Sequence, residues 1–139
     1  MLGFGKKKLS SQMALLLLLW QEACLEHSVE NDTLLPGAKS ATESEEKILD
    51  AIYEREQVTE SWDDFNKAYS SFDSASARVE TCLQVLSKAE YDFRVKTVKY
   101  LVAMASASFE NNSLQPISEE EAKFIQRVKT ALEVNDADA

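Results

Sequence analysis

Glycine occurs three times and proline twice in the 139 residues of this chain. So few turn formers exclude a fold of many short strands and tight hairpins, and leave a small number of long elements. Histidine occurs once, as His27, and cysteine twice, as Cys24 and Cys82. A lone histidine without further soft or nitrogen ligands at metal-binding spacing does not make a zinc site. No Cys-x-x-Cys pair exists, so both cysteines are expected as small buried hydrophobes in a reducing cytoplasm, with a disulfide as the alternative. Also missing are a glycine-rich phosphate loop, a nucleophile elbow and a Ser-His-Asp order. Basic charge is short as well: the net charge is −9. Phosphate binding needs a basic face, so nucleic acid is not an expected partner. The balance fits a soluble acidic protein that meets cations or a basic partner.

A long hydrophobic run is lacking too. Lys6-Lys7-Lys8 followed by Met13 to Trp20 imitates the start of a signal peptide, but Gln21 and Glu22 interrupt the run after eight residues. A bilayer span takes about twenty, and no small-x-small cleavage site follows. The expectation is a buried first helix in a cytoplasmic protein with no membrane span, and export is the alternative. Three lysines give only weak attraction to an anionic membrane. Residues 1–10 are expected as a basic flexible N-terminus and 135–139 as a frayed acidic tail.

What is present reads as helix. Ser10 or Ser11 caps a first helix to about Glu30, apolar nearly all round from Leu15 to Trp20 and so central. Thr42 to Glu45 has capping-box spacing and opens a second helix to about Gln57, with Ile48, Leu49, Ile52 and Tyr53 inward. Ser61-x-x-Asp64 opens a third with Trp62, Phe65, Tyr69 and Phe72 at helical spacing, which is a core pattern. Asp73 or Ser74 caps a fourth, with Val79, Cys82, Leu83 and Leu86 on one face. A fifth, about 91–111, turns Val95, Val98, Leu101, Val102, Ala105 and Phe109 inward. Ser118 with Glu121 opens a sixth over Phe124, Ile125, Val128 and Leu132. No stretch alternates with period two, so no sheet is expected.

The chain repeats itself. Glu30-Asn31-Asp32-Thr33-Leu34 returns as Glu110-Asn111-Asn112-Ser113-Leu114, and Pro36 returns as Pro116, all at an offset of 80. Trp20 then stands opposite Tyr100, and Ala23 opposite Ala103. After four extra residues near 37–40 the offset becomes 76, pairing Glu45 with Glu121, Leu49 with Ile125 and Ile52 with Val128. Each half reads helix, polar loop, capped helix. The expected architecture is all-α, about six helices in one domain. Two helix-loop-helix halves stand in a pseudo-two-fold arrangement, bridged by the middle helices.

The second half reads Ala103 to Ala107, Glu110 to Ser113, then Ile117-Ser118-Glu119-Glu120-Glu121 and Ile125. That order of alanine-rich helix, polar turn, Ile-x-x-x-Glu step and apolar residue is similar to the signature of the TerB-like family. Phe65-Asn66-Lys67 and Ser71-Phe72-Asp73 also resemble that family's central helix. The resemblance runs from about Leu15 to Leu132. It implies an internally two-fold helical fold and an association with tellurite resistance and stress response. Relatives of the family include the helical domain of membrane-anchored DnaJ-like co-chaperones. One departure stands out. The family's Ala-Asp-Gly turn is intact in neither half: Asp32-Thr33 and Asn112-Ser113 stand about where the two Asp-Gly pairs would fall.

The candidate metal ligands are Glu30, Asp32, Glu110, Asn112, Glu45 and Glu121. Hard cations take six to eight oxygens from carboxylates, amides and carbonyls. A two-fold arrangement would gather these loops and helix starts. The ion would be calcium, magnesium or manganese, although the spacing is not that of an EF-hand. The competing reading is structural: acidic residues in a first helical turn meet the helix dipole, Asn and Asp serve turns, and the carboxylates at the helix starts face water. The expected function is a non-enzymatic interaction module with a basic or membrane-associated protein partner, or a second copy as a homodimer. A divalent-cation-binding protein is the alternative, and a small metal-dependent helical enzyme is a third.

Overall fold

The computed structural model describes residues 9–30, 43–107 and 119–138, with side chains throughout except at 24–30, 43–45 and 106–107. Six α-helices follow in order: α1 Ser11–Glu30, α2 Glu43–Arg55, α3 Trp62–Ser70, α4 Ala75–Leu86, α5 Tyr91–Ala107 and α6 Glu119–Leu132. Among the described residues there is no strand. The all-α class with about six helices is thus what the structure shows, and no helix is long and apolar enough to cross a membrane among the described residues.

Helix α1 is the axis of the core. Ser10 caps it, its Oγ accepting from the Met13 amide at 3.0 Å. Met13 through Leu19 are all buried, the five leucines to 1 % exposure or less. Each such leucine contributes roughly 1.5–3 kcal/mol of burial free energy. A helix apolar on every side must be surrounded, and α1 packs against each of the other five.

Short caps set the middle helices. Ser61 and Asp64 form a reciprocal box, both hydrogen bonds at 3.1 Å, and start α3. Ser74 accepts from the Ala77 amide at 3.0 Å and starts α4. Of the aromatic run expected as core, Phe65 is buried, and Trp62, Tyr69 and Phe72 are partly buried against the core. Trp62 stacks on Tyr53 at 4.6 Å, and Phe65 meets Trp20, Trp62 and Tyr69 edge to face. The Arg78 guanidinium covers the Tyr69 ring at 4.1 Å.

Both sequence offsets reappear in the elements. The starts of α1 and α5 differ by 91 − 11 = 80, and those of α2 and α6 by 119 − 43 = 76. The ends of α2 and α6 match more closely still. Gln57 and Glu133 have φ of 53° and 56°, and 133 − 57 = 76. Val58 N–H bonds the Tyr53 carbonyl at 3.2 Å and Gln57 N–H that of Glu54 at 3.1 Å. Val134 N–H bonds the Lys129 carbonyl at 3.0 Å and Glu133 N–H that of Thr130 at 3.2 Å. Both are Schellman caps with a non-glycine residue in the left-handed region. Each is followed by a buried valine. A side chain from the first helix of the same half completes each end: Gln12 donates to the Glu56 carbonyl at 2.8 Å, Arg94 to the Leu132 carbonyl at 2.6 Å. Helix neighbours pair off likewise, α1 with α2 and α6, α5 with α6 and α2.

The halves differ in what covers them. Helices α3 and α4 pack on α1 and form no comparable layer on α5. Hence Ala23 is buried whereas its counterpart Ala103 is exposed. Val102, expected inward, is 37 % exposed. It follows Leu101, which is fully buried, and one helical step turns a side chain by about 100°. The C-terminal segment also differs from the expected frayed tail. Asp136–Asp138 forms a 3-10 turn, with Asp136 on Lys129 at 2.7 Å and Asp138 on the Tyr91 hydroxyl at 2.6 Å. Thr42, Phe109 and Ser118 lie outside the described residues.

Candidate functional site

Of the six candidate metal ligands, Asp32, Glu110 and Asn112 lie outside the described residues. Glu30 ends α1 and Glu45 sits in the first turn of α2, with side chains outside the description. Glu121 is described, and its side chain is fully buried under the first turn of α6. That corrects the expectation that carboxylates at the helix starts face water. Glu121 takes the fourth-residue position of the stripe Phe124, Ile125 and Val128, so the helix phase itself turns it inward. Among the described residues, no three His, Cys, Asp or Glu side chains gather as a metal site.

Surface concavities lie instead on both sides of α2. On one side Glu46, Leu49 and Asp50 of α2 face Trp62 of α3 around a shallow hollow of about 230 Å³. Glu46 and Asp50 are one turn apart, and like charges at that spacing repel. This wall therefore presents negative charge beside an indole that is already stacked on Tyr53. A lysine or arginine side chain suits such a wall, through the exposed Asp50 carboxylate and the ring together.

On the other side α2 and α5 flank a groove of about 250 Å³ lined by Ile48, Ala51, Ile52, Arg55, Tyr100 and Ala103. Its floor is aliphatic and its one charged lining residue is cationic. Beneath it Glu56 ties the two helices. Its carboxylate accepts the Tyr100 hydroxyl at 2.6 Å and pairs with Lys96 Nζ at 3.2 Å. Burial, and then the hydrogen bond to Glu56, raise the Tyr100 phenol above its ordinary value, with Arg55 opposing.

Neither concavity could be read from the chain alone. The hollow needs α2 folded back on α3, the next helix, and the groove needs it placed beside α5, which is distant in sequence. The only local signal is Ala51 and Ala103, small residues where a longer side chain would close the groove. Cys82 is buried as expected, its thiol pushed up to about 12 by desolvation against a lowering by Arg78. The side chains of Cys24 and His27 lie outside the description. No family model, no curated protein and no solved structure matches this chain.

Proposed function

We propose that this chain is a non-enzymatic interaction module of the TerB-like kind, working in the cytoplasm during tellurite, metal or oxidant stress. The observation that carries the reading is the doubled helix end, with Gln57 and Glu133 in the same Schellman cap at the offset of 76. It supports the duplicated, pseudo-two-fold architecture that the resemblance implies, because local caps of one geometry recur where the sequence repeats. The exposed Asp50 carboxylate beside Trp62 supports a basic partner, and the net charge of −9 favours encounter with one.

The test is reconstitution. A partner isolated from stressed cells must bind the purified chain as a defined complex, more weakly at high salt, and lose affinity with Asp50→Lys. If no binary complex forms from purified components, the module reading is abandoned. Calorimetric titration with calcium, magnesium and manganese separates it from the cation-binding alternative. An ion held by Glu30, Asp32 and Glu110 raises the melting temperature with its concentration, and Asp32→Asn with Glu110→Gln removes the effect.

A further inference from the structure

We infer that the groove between α2 and α5 is a docking site for an acidic amphipathic helix of a partner protein. The inference rests on the interaction-module reading and adds, on the other side of α2, a contact of opposite charge to the basic one proposed at Asp50 and Trp62. It begins from the unequal cover of the two halves. On α1, Leu19, Glu22 and Ala23 are buried to 0, 0 and 1 % exposure. Their counterparts at offset 80 on α5 are Lys99, Val102 and Ala103, and all three are exposed. A face that is helix-covered in one half is thus bare in the other.

The bare face is shaped for a helix. Lys99, Val102 and Ala103 share one side of α5 by their i, i+3, i+4 spacing. Ala103 also lines the groove, opposite Ala51 and above Ile48 and Ile52. Alanines on both walls let a third backbone approach closely, and the isoleucines give its apolar stripe a floor. Val102 is the one large hydrophobic side chain exposed among the described residues. Laying an apolar stripe into such a groove is a recurring recognition mode.

Charge chooses the occupant. Arg55 lines the groove, and Lys99 stands one turn before Ala103. The Arg55 guanidinium lies against the neutral Tyr100 hydroxyl, and neither Arg55 nor Lys99 has a carboxylate ion-pair partner among the described residues, where Lys96 pairs with Glu56 and Lys129 with Asp136. Two cations beside an aliphatic floor match a helix whose apolar stripe is flanked by Asp or Glu. A second copy of the chain would bring the same cations against each other across a two-fold interface, which opposes self-pairing there.

The test uses two acetylated, amidated peptides of about 16 residues, long enough for four turns. Both carry leucine at i, i+3, i+4 and i+7. One is flanked by glutamate, the other by lysine. Because the whole chain is at −9, unspecific attraction favours the lysine peptide. A preference for the glutamate peptide can come only from a local site. Binding is read by fluorescence anisotropy and located by amide shift changes in the intact chain. The expected result is affinity about tenfold or more in favour of the glutamate peptide, with shifts at Ala51, Lys99, Val102 and Ala103. Lys99→Glu, and separately Ala103→Glu, should remove that preference while the chain stays folded, and Arg55→Gln should weaken it. If Ala103→Glu fails to fold, Lys99→Glu decides. Equal or tighter binding of the lysine peptide overturns the inference, as do shifts confined to other helices or variants that bind like wild type. Dimerisation that buries Val102 without peptide assigns the groove to a second copy and overturns it too. Loss of the natural partner with Asp50→Lys, but not with Ala103→Glu, would remove this inference and leave the module reading standing.

Discussion

Tyr100 on α5 and Glu56 at the end of α2 are joined by a 2.6 Å hydrogen bond from the phenol to the carboxylate. The Glu56 side chain is 8 % exposed, and Lys96 shares it. Tyr100→Phe keeps the ring and deletes the donor, so it should cost about 1–3 kcal/mol, the penalty for leaving a buried charged acceptor short of a partner. It should also change the alkaline limb. The folded pKa of Tyr100 lies above its ordinary value of 10.0, so the native state holds that proton more tightly than the unfolded chain. This contribution is complete below pH 10 and is lost as pH rises through the folded value. Denaturant melts from pH 9 upward should show wild type losing stability more steeply than Tyr100→Phe.

The adjacent residues Leu101 and Val102 give an internal control. Leu101 is fully buried and Val102 is 37 % exposed. Leu101→Ala should cost about 2–5 kcal/mol through lost burial and a residual cavity. Val102→Ala should stay within about 0.5 kcal/mol, as surface changes do. Chemical denaturation of the two variants checks this, and similar losses would mean that the phase of α5 is misplaced.

Cys82 should be chemically silent in the folded state. Its side chain has no exposure and its thiol titrates at about 12, so almost no thiolate is present near neutral pH. In a Cys24→Ala background, a thiol-specific chromogenic disulfide should react only as fast as the chain unfolds. Prompt stoichiometric reaction under native conditions would contradict the burial. The raised pKa also makes Cys82 favour the native state below pH 9, an advantage lost as pH climbs towards 12.

Gln57 and Glu133 occupy left-handed backbone that costs a residue with a side chain roughly 1–2 kcal/mol. Glycine avoids that cost but adds freedom to the unfolded chain. Gln57→Gly and Glu133→Gly should each raise stability, by up to about 1 kcal/mol. The two gains should be alike because the caps are alike. Thermal melts that move in opposite directions would separate the two helix ends energetically.

Much of the fold was legible because its signals are local. Ser10, Ser61 and Ser74 mark helix starts through their own side chains, and the periodic positions of α4 and α6 named their buried faces. The five consecutive leucines announced a surrounded helix. Val102 misled because the apolar stripe of α5 is wider than the surface available to bury it; only the absence of an α4-like cover on that side shows this. Glu121 misled for the opposite reason. An acidic residue in a first turn reads as solvated, but its register with Phe124 and Val128 places it inside. The tail was misread because one anchor, Tyr91, lies 47 residues back from Asp138, and the other, Lys129, reaches Asp136 only once the chain turns back at the end of α6. The metal-ligand reading rests chiefly on residues 30–34 and 110–114, mostly outside the described segments, and the grooves beside α2 depend on tertiary neighbours that no local pattern encodes.

The position of α1 fixes when this protein can fold during synthesis. The segment that the other five helices pack on is made before any of them, and α6, which also packs on it, is made after the other four. Until residues near Leu132 have left the ribosome, the leucines of α1 have no complete partner set, and an apolar surface stays uncovered in the nascent chain. A domain that closes only with its last helix stays incomplete until that helix is out, and such exposed intermediates are prone to aggregate. Slowing elongation should therefore give no early folding here. Truncation before α6 should leave a chain that is bound by holdase chaperones rather than one that is merely shorter.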